Sequence, residues 1–237
     1  MAPTGAKKTR KSGEKTAHVK AVLQGLEKLY PEADCELHWN NPFQLLIATI
    51  LSAQTTDKRV NQVTPELFAT YPTPAALACA DPSDVERIIR STGFYQNKRK
   101  NIQGAAQNLV DLHDGQVPRT LDELIEIPGA ARKTANVVLG TCWGIAEGVV
   151  VDTHVLRLSK RLGLTAQETP EKVEKDLMAL LPRERWVKFS HQIIWHGRRV
   201  CDAKKPRCEE CGLASICPSV RLGQAKAQKK TRAPKRR

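Results

Sequence analysis

Two short helices joined by a tight turn are predicted by Leu121-Asp-Glu-Leu-Ile-Glu-Ile-Pro-Gly-Ala-Ala-Arg-Lys-Thr-Ala-Asn-Val-Val-Leu139. Apolar residues recur three and four positions apart in its first part, which is the spacing of one helix face. Pro128-Gly129 ends that helix, because neither residue type continues one readily. A second helix begins near Ala131 or Arg132. The stretch therefore predicts a helix–hairpin–helix.

The turn between these helices is a candidate anion site. Gly129, Ala130 and Ala131 are small, so the N–H groups that open the second helix stay approachable. N–H groups at a helix N-terminus bind anions, and they hold a DNA phosphate without reading the base sequence. An ordinary turn between two helices has the same pattern, so the turn alone leaves both interpretations open.

Lys133 lies in the first turn of the second helix, at its positive end. That position disfavours the ammonium form and favours the neutral amine, which is the form that attacks carbon. A lysine that only contacts a phosphate would occupy the same position. Further along, Val149–Val151 leads to Asp152 at the predicted start of another helix. Asp152 is either the N-cap of that helix or an anion beside a developing positive charge.

The net charge of +13 belongs to the two ends of this 237-residue chain. Residues 1–20 hold six Lys or Arg and one acid, residues 218–237 hold eight and no acid, and the remainder is formally neutral. Basic tails indicate a polyanionic partner, either nucleic acid or an acidic membrane surface. We expect residues 1–16 and 218–237 to be disordered basic tails.

Between these tails the pattern predicts an all-α fold. Apolar residues recur at helical spacing from about Ala17 to the cysteines near the C-terminus, prolines stand at the junctions, and Val149–Val151 is the only strand-like run. The aromatic content of 5% disfavours a protein that binds single strands by stacking. We find no predicted transmembrane segment or secretory signal, so we expect an intracellular protein with no membrane partner.

Four of the seven cysteines are clustered, in the pattern Cys201-x6-Cys208-x2-Cys211-x5-Cys217. Four thiolates suit zinc or an iron–sulfur cluster. Zinc sites usually pair their cysteines in two short knuckles, and only one short pair occurs here, so zinc is the less favoured metal.

The loop between the first two clustered cysteines is basic, with Lys204, Lys205 and Arg207. These side chains either contact a phosphate backbone or are simply solvated.

Taken together, these motifs resemble the helix–hairpin–helix–Gly-Pro-Asp superfamily of DNA glycosylases, and within it the endonuclease III family. The resemblance covers about residues 17–217 and includes Leu51–Asp57, Gly93–Tyr95 and the cysteine spacing. It implies a two-lobed fold. Residues 36–147 would form a helical-barrel domain with the helix–hairpin–helix at about 121–140, and residues 17–35 plus 148–217 an iron–sulfur cluster domain.

The resemblance also implies a role for each candidate residue. Lys133 would attack the sugar C1′ and form a Schiff base, and Asp152 would stabilise the oxocarbenium-like charge. Gln54 would fill the gap that a flipped base leaves. The cysteines would hold a [4Fe-4S] cluster. The DNA-contact residues would be Gln54, Phe94, Gly129, Ala130, Ala131, Arg132, Lys204, Lys205 and Arg207.

Two positions depart from the family pattern. Ala131 stands where the family usually has the second glycine of its hairpin, and Phe94 stands where it usually inserts a leucine wedge. A methyl group in the hairpin would alter DNA affinity, and a bulkier wedge would alter lesion preference.

The function implied is that of a bifunctional DNA glycosylase and AP lyase in base excision repair. It would excise oxidised or ring-damaged pyrimidines of the thymine glycol type from duplex DNA. We expect a monomer in the cytoplasm, associated with the nucleoid, whose partner is double-stranded DNA with damaged pyrimidines or abasic sites.

Four alternatives remain. A monofunctional adenine-specific mismatch glycosylase usually lacks the hairpin lysine and has a further C-terminal domain. A pyrimidine-dimer glycosylase shares the lysine and the aspartate. A non-catalytic iron–sulfur DNA-binding module would need neither Lys133 nor Asp152. RNA binding through the tails alone accounts for the charge but not for the motifs.

Overall fold

The computed structural model of the chain describes residues 6–220, with side chains from residue 13 onward. The described part is all-helical and contains no strand, which confirms the predicted fold class. Its helices are α1 (Ala6–Leu29), α2 (Pro42–Leu51), α3 (Asp57–Thr70), α4 (Pro74–Ala78), α5 (Pro82–Ile89), α6 (Tyr95–His113), α7 (Leu121–Ile125), α8 (Arg132–Trp143), α9 (Thr153–Arg161), α10 (Pro170–Leu180) and α11 (Trp186–Arg199). Two short 3₁₀ turns, Arg90–Thr92 and Arg183–Arg185, precede α6 and α11.

The chain forms two compact units. One comprises the residues up to Asp34 together with those from Gly148 onward, and the other is Cys35–Glu147. No helix within residues 6–220 is long and apolar enough to cross a membrane.

Helix α2 is the centre of the Cys35–Glu147 unit. The side chain of Asn41 caps it by accepting a hydrogen bond from the Gln44 N–H at 3.0 Å, and Pro42 occupies its first turn. Its residues are buried on all sides, and it packs against α6 and α8. Each fully buried Leu or Ile stabilises the fold by about 1.5–3 kcal/mol. The second helix of the hairpin is therefore anchored on the core of this unit.

The other unit is built from α1, α9, α10 and α11. Helix α11 packs on both α1 and α9, and Phe189 is completely buried within this unit. Arg185 donates to a carboxylate oxygen of Glu27 at 2.6 Å, and Gln192 donates to the same oxygen at 2.9 Å. These contacts fix the helix that leads into the cysteine loop.

The first helix begins earlier than the sequence pattern indicated. Residues 6–16, which we predicted to be disordered, belong to α1. Lysine, alanine, arginine and glutamate dominate this segment, and all four favour helix once the packed part of α1 provides a nucleus. Residues 218–220 are also helical, and the remainder of both predicted tails lies outside the described residues.

The valine run Val149–Val151 is buried but belongs to no strand of the described chain. The N–H of Val150 instead donates to the hydroxyl of Ser190 at 3.2 Å.

Candidate functional site

The hairpin consists of α7, the turn 126–131 and α8. Gly129 has a φ of +79°, and a Cβ atom there would lie 2.9 Å from Cβ of Asn101 and 3.0 Å from Cγ2 of Ile50. Only glycine fits both the backbone conformation and the space. The N–H of Ala130 closes the turn by donating to the carbonyl of Ile127 at 2.9 Å. The turn is thus held against α2 and α6.

The N-terminus of α8 has no side-chain cap. Ala131 is the N-cap residue, and the first backbone bond of the helix joins the Ala135 N–H to the Ala131 carbonyl at 3.0 Å. Lys133 is exposed in this first turn. Arg132 is also exposed, and its guanidinium donates to the carbonyl of Glu147 at 3.4 Å. The geometry combines an uncapped helix start with an accessible lysine.

Gln54 and Phe94 both lie on turns with left-handed backbone. Their φ angles are 54° and 48°, both side chains are exposed, and Phe94 retains 68% of its accessible surface. Left-handed backbone costs a non-glycine residue about 1–2 kcal/mol. Gln54 lies between α2 and α3 and is on the surface of neither helix. Backbone strain at two residues whose side chains are exposed is typical of binding sites.

Asp152 is the N-cap of α9. One of its carboxylate oxygens accepts hydrogen bonds from the N–H groups of His154 and Val155, both at 2.8 Å. The structural role that the sequence suggested for Asp152 is therefore present. Asp152 is half-buried and belongs to the unit that begins again at Gly148, whereas Lys133 belongs to the unit Cys35–Glu147.

The four clustered cysteines line one cavity of about 140 Å³. Cys217 is buried, and the other three are half-buried. All four sulfurs therefore face one space, as the ligands of a single metal site or iron–sulfur cluster do. Burial raises the pKa of the Cys208 and Cys211 thiols, and neighbouring sulfurs raise it further. A cationic iron core would offset this by favouring the thiolate form.

Two residues that the sequence analysis did not single out belong to this cavity. His196 lies 3.5 Å from the sulfur of Cys211 through Nε2, and its Nδ1 is 2.9 Å from the hydroxyl of Tyr30. Burial lowers the pKa of His196 to about 4. Its place five residues before Cys201 was the available signal.

The second such residue is Arg161. Its guanidinium donates to the sulfur of Cys201 at 3.1 Å, to the carbonyl of Asp202 at 2.8 Å and to the carbonyl of Ala203 at 2.7 Å. It therefore holds both a cluster cysteine and the start of the basic loop. Its four-residue spacing from Arg157 places both side chains on one face of α9, which was the only sequence signal.

The basic loop itself is exposed. Lys204, Lys205 and Arg207 all face solvent, and Arg207 forms an ion pair with Glu210 at 3.0 Å. The backbone N–H of Arg207 donates to the carbonyl of Val200 at 3.0 Å.

Family models match most of the chain. Residues 47–183 match the HhH-GPD superfamily of base excision DNA repair proteins, and residues 201–217 match the iron–sulfur binding domain of endonuclease III. The second match spans all four clustered cysteines.

Individual relatives agree with these matches. Endonuclease III of Synechocystis sp. is 55% identical over 211 residues, which cover 89% of this chain and 96% of the relative. Endonuclease III of Bacillus subtilis is 42% identical over 212 residues, covering 89% and 95%.

Solved structures of endonuclease III on DNA are also similar. A non-covalent complex superposes with a TM-score of 0.84 at 43% identity, covering 89% of this chain and 98% of that one. A trapped covalent intermediate superposes with a TM-score of 0.83 at 42% identity, covering 88% and 98%.

Proposed function

This chain belongs to the endonuclease III family of the HhH-GPD superfamily, and we propose how its own residues perform the family's reaction. It is a bifunctional DNA glycosylase and AP lyase of base excision repair, and specificity of the thymine glycol type is typical of this family. It carries a [4Fe-4S] cluster. The functional residues, the targets on DNA, the monomeric state and the location in the cell are the parts that we propose.

Lys133 is the nucleophile. Its amine, exposed in the first turn of α8, attacks C1′ of the damaged nucleotide while the bond from C1′ to the base breaks. The base leaves with the bonding electrons and takes up a proton, and the attached nitrogen loses one proton. The C1′–O4′ bond then breaks and O4′ takes up a proton, which leaves a protonated Schiff base between Lys133 and the opened sugar. This accessible amine at an uncapped helix start is the observation that carries the proposal.

Strand cleavage follows from the same Schiff base. The positively charged nitrogen acidifies the C2′ proton, and loss of that proton expels the 3′ phosphate by β-elimination. Water then releases Lys133 and leaves an unsaturated aldehyde on one strand end. The chain thus needs only one nucleophile for both activities.

Asp152 stabilises the positive charge that develops on the sugar as the base departs. Its two N-cap hydrogen bonds hold one carboxylate oxygen in place, so that the carboxylate keeps a fixed orientation. A preorganised charge stabilises a transition state without reorganising during the reaction.

Three groups of residues bind the DNA. The hairpin residues Gly129, Ala130, Ala131 and Arg132 and the N-terminus of α8 hold a phosphate. Gln54 occupies the space left by the flipped base, and Phe94 inserts beside it as a wedge. The loop residues Lys204, Lys205 and Arg207 attract the phosphate backbone. The ion pair with Glu210 offsets the charge of Arg207, so the two lysines contribute most of this attraction.

The ligands of the cluster are Cys201, Cys208, Cys211 and Cys217, which all line one cavity. The four ligands would tie residues 201–217 together, in the way that a structural metal stabilises a small domain. Arg161 of α9 and His196 of α11 contact the sulfurs of Cys201 and Cys211, so the loop is also joined to these helices.

The protein acts on duplex DNA, and we propose that its targets there are damaged pyrimidines and abasic sites. The net charge of +13 supports DNA as the partner. We further propose that the protein is a monomer in the cytoplasm and acts at the nucleoid.

The test uses the full-length holoprotein and duplexes with one central thymine glycol, abasic site, cyclobutane dimer or adenine mismatch. We expect base release and strand cleavage on the first, cleavage on the second, and little product on the other two. Base release without cleavage would contradict the lyase assignment. Preferred cleavage of the dimer would instead favour the pyrimidine-dimer alternative.

A further inference from the structure

Lys98 is a buried lysine that the proposed reaction does not use. Only 4% of its surface is accessible, and its ammonium group donates to the carbonyl of Thr92 at 2.8 Å. Burial lowers the pKa of Lys98. A buried amine of this kind requires a specific function or a structural need, because its desolvation is costly.

Thr92, whose carbonyl accepts the bond from Lys98, directly precedes the two-residue loop that contains Phe94. Gly93 and Phe94 follow directly, with φ angles of 69° and 48°, so two successive residues have positive φ. Thr92 itself is buried, and its hydroxyl donates to the carbonyl of Ile89 at 2.8 Å.

Lys98 contacts this two-residue loop from both sides. Its side chain binds the carbonyl before Gly93, and its backbone N–H donates to the carbonyl of Phe94 at 3.0 Å. A peptide group is planar, so fixing the Thr92 carbonyl also fixes the N–H of Gly93 and the direction in which the loop departs. One residue thus fixes the peptide plane before Gly93 and the peptide plane after Phe94.

We propose that Lys98 is a positioning residue that holds Phe94 in the orientation required for insertion into the DNA. The proposal rests on the wedge role proposed above for Phe94. Strained backbone persists only where its surroundings hold it, and the two Lys98 contacts supply that support together with the bond from the Gly93 N–H to the Arg90 carbonyl at 3.4 Å. Without the ammonium group, the Thr92–Gly93 peptide keeps only the longer bond from its N–H to the Arg90 carbonyl, and Phe94 samples other directions. The insertion step then becomes less favourable, although Phe94 itself is unchanged.

The experiment compares Lys98→Met, Phe94→Ala and the double variant in the full-length holoprotein. Lys98→Met keeps the length of the side chain and removes the donor. The DNA is a duplex with an uncleavable abasic-site analogue, and 2-aminopurine next to the lesion reports unstacking by its fluorescence. Lys100→Met is the matched control, because Lys100 is an exposed lysine on the same helix.

We expect Phe94→Ala to weaken binding about tenfold and to remove the fluorescence increase, since an aromatic ring stacked on a base contributes about that much. Lys98→Met should reduce the affinity at least ~threefold and remove much of the fluorescence increase, and the double variant should bind no more weakly than Phe94→Ala alone. Lys100→Met should keep the fluorescence increase.

Unchanged fluorescence in Lys98→Met, together with its disappearance in Phe94→Ala, would overturn the positioning role and leave the wedge intact. No effect of Phe94→Ala would instead overturn the wedge itself. Strictly additive effects in the double variant would also overturn the proposal. If Lys98→Met does not fold, Lys98→Gln carries the same comparison, and its shorter neutral donor should give a smaller reduction.

Discussion

Substitution of Gly129 by alanine tests whether the hairpin has the tight geometry described above. At a φ of +79°, an alanine is strained by about 1–2 kcal/mol. Its methyl group would also lie 2.9 Å from Cβ of Asn101 and 3.0 Å from Cγ2 of Ile50. Neither neighbour is the far end of a flexible chain, and overpacking of this kind costs about 1–3 kcal/mol. We therefore expect Gly129→Ala to lower the free energy of unfolding by about 2–5 kcal/mol.

Gly115→Ala is the matched control. Gly115 has a φ of +73° and lies in the same unit, but a Cβ atom there has no neighbour within 4 Å. It should cost only the backbone strain of about 1–2 kcal/mol. The difference between the two variants, measured by urea unfolding followed by circular dichroism, isolates the contact with α2 and α6.

The same pair of variants tests the role of the hairpin in binding. Gly129→Ala should weaken affinity for a duplex with an abasic-site analogue, because the hairpin backbone must shift, whereas Gly115→Ala should not. Equal destabilisation by the two substitutions would refute the packing argument. Unchanged DNA affinity in a folded Gly129→Ala variant would refute the assignment of the hairpin as a phosphate site.

Three further predictions concern other parts of the chain. Asp152→Asn should change the free energy of unfolding by less than ~0.5 kcal/mol, because asparagine also caps helices. The same substitution should slow single-turnover base release. Equal rates of base release in the variant and the wild type would leave Asp152 only the N-cap role. Arg161→Met should reduce the iron-to-protein ratio after gel filtration and weaken DNA binding, because it removes three hydrogen bonds to the cysteine loop. Lys160→Met is the control: it removes one positive charge from α9 and should leave both the iron content and DNA binding unchanged. Removal of residues 221–237, which contain eight basic residues, should flatten the salt dependence of DNA affinity by ~0.9 in log–log slope for each phosphate that the tail no longer neutralises. Single-turnover excision should stay nearly intact, and its collapse would show that this tail contributes to the reaction and not to affinity alone.

Much of the architecture followed from local signals. Pro128-Gly129 marked the hairpin, and the prolines and apolar spacings marked the helices, because turn chemistry and helical periodicity are local properties of a chain. The same locality explains the error at the N-terminus. Residues 6–16 have the polar composition of a disordered tail, and their continuation from a packed helix depends on contacts that composition does not record.

Several features of the site were beyond local reasoning. Arg161 reaches a cysteine that lies 40 positions away in sequence, and no spacing rule indicates that contact. The left-handed backbone at Gln54 and Phe94 occurs at residue types that rarely adopt it, so only the surrounding fold explains it. Lys98 has the pattern of a surface residue on a helix, and its burial emerges from the packing of the Cys35–Glu147 unit.

The central claim is that Lys133 forms a covalent Schiff base with DNA, and borohydride trapping tests it most directly. The full-length holoprotein is incubated with a thymine glycol duplex in the presence of borohydride, and Lys133→Ala is compared with wild type and with Lys100→Met. We predict a covalent protein–DNA adduct for wild type and Lys100→Met, and none for Lys133→Ala. An undiminished adduct in a folded Lys133→Ala variant would assign the nucleophile to another residue and contradict the account.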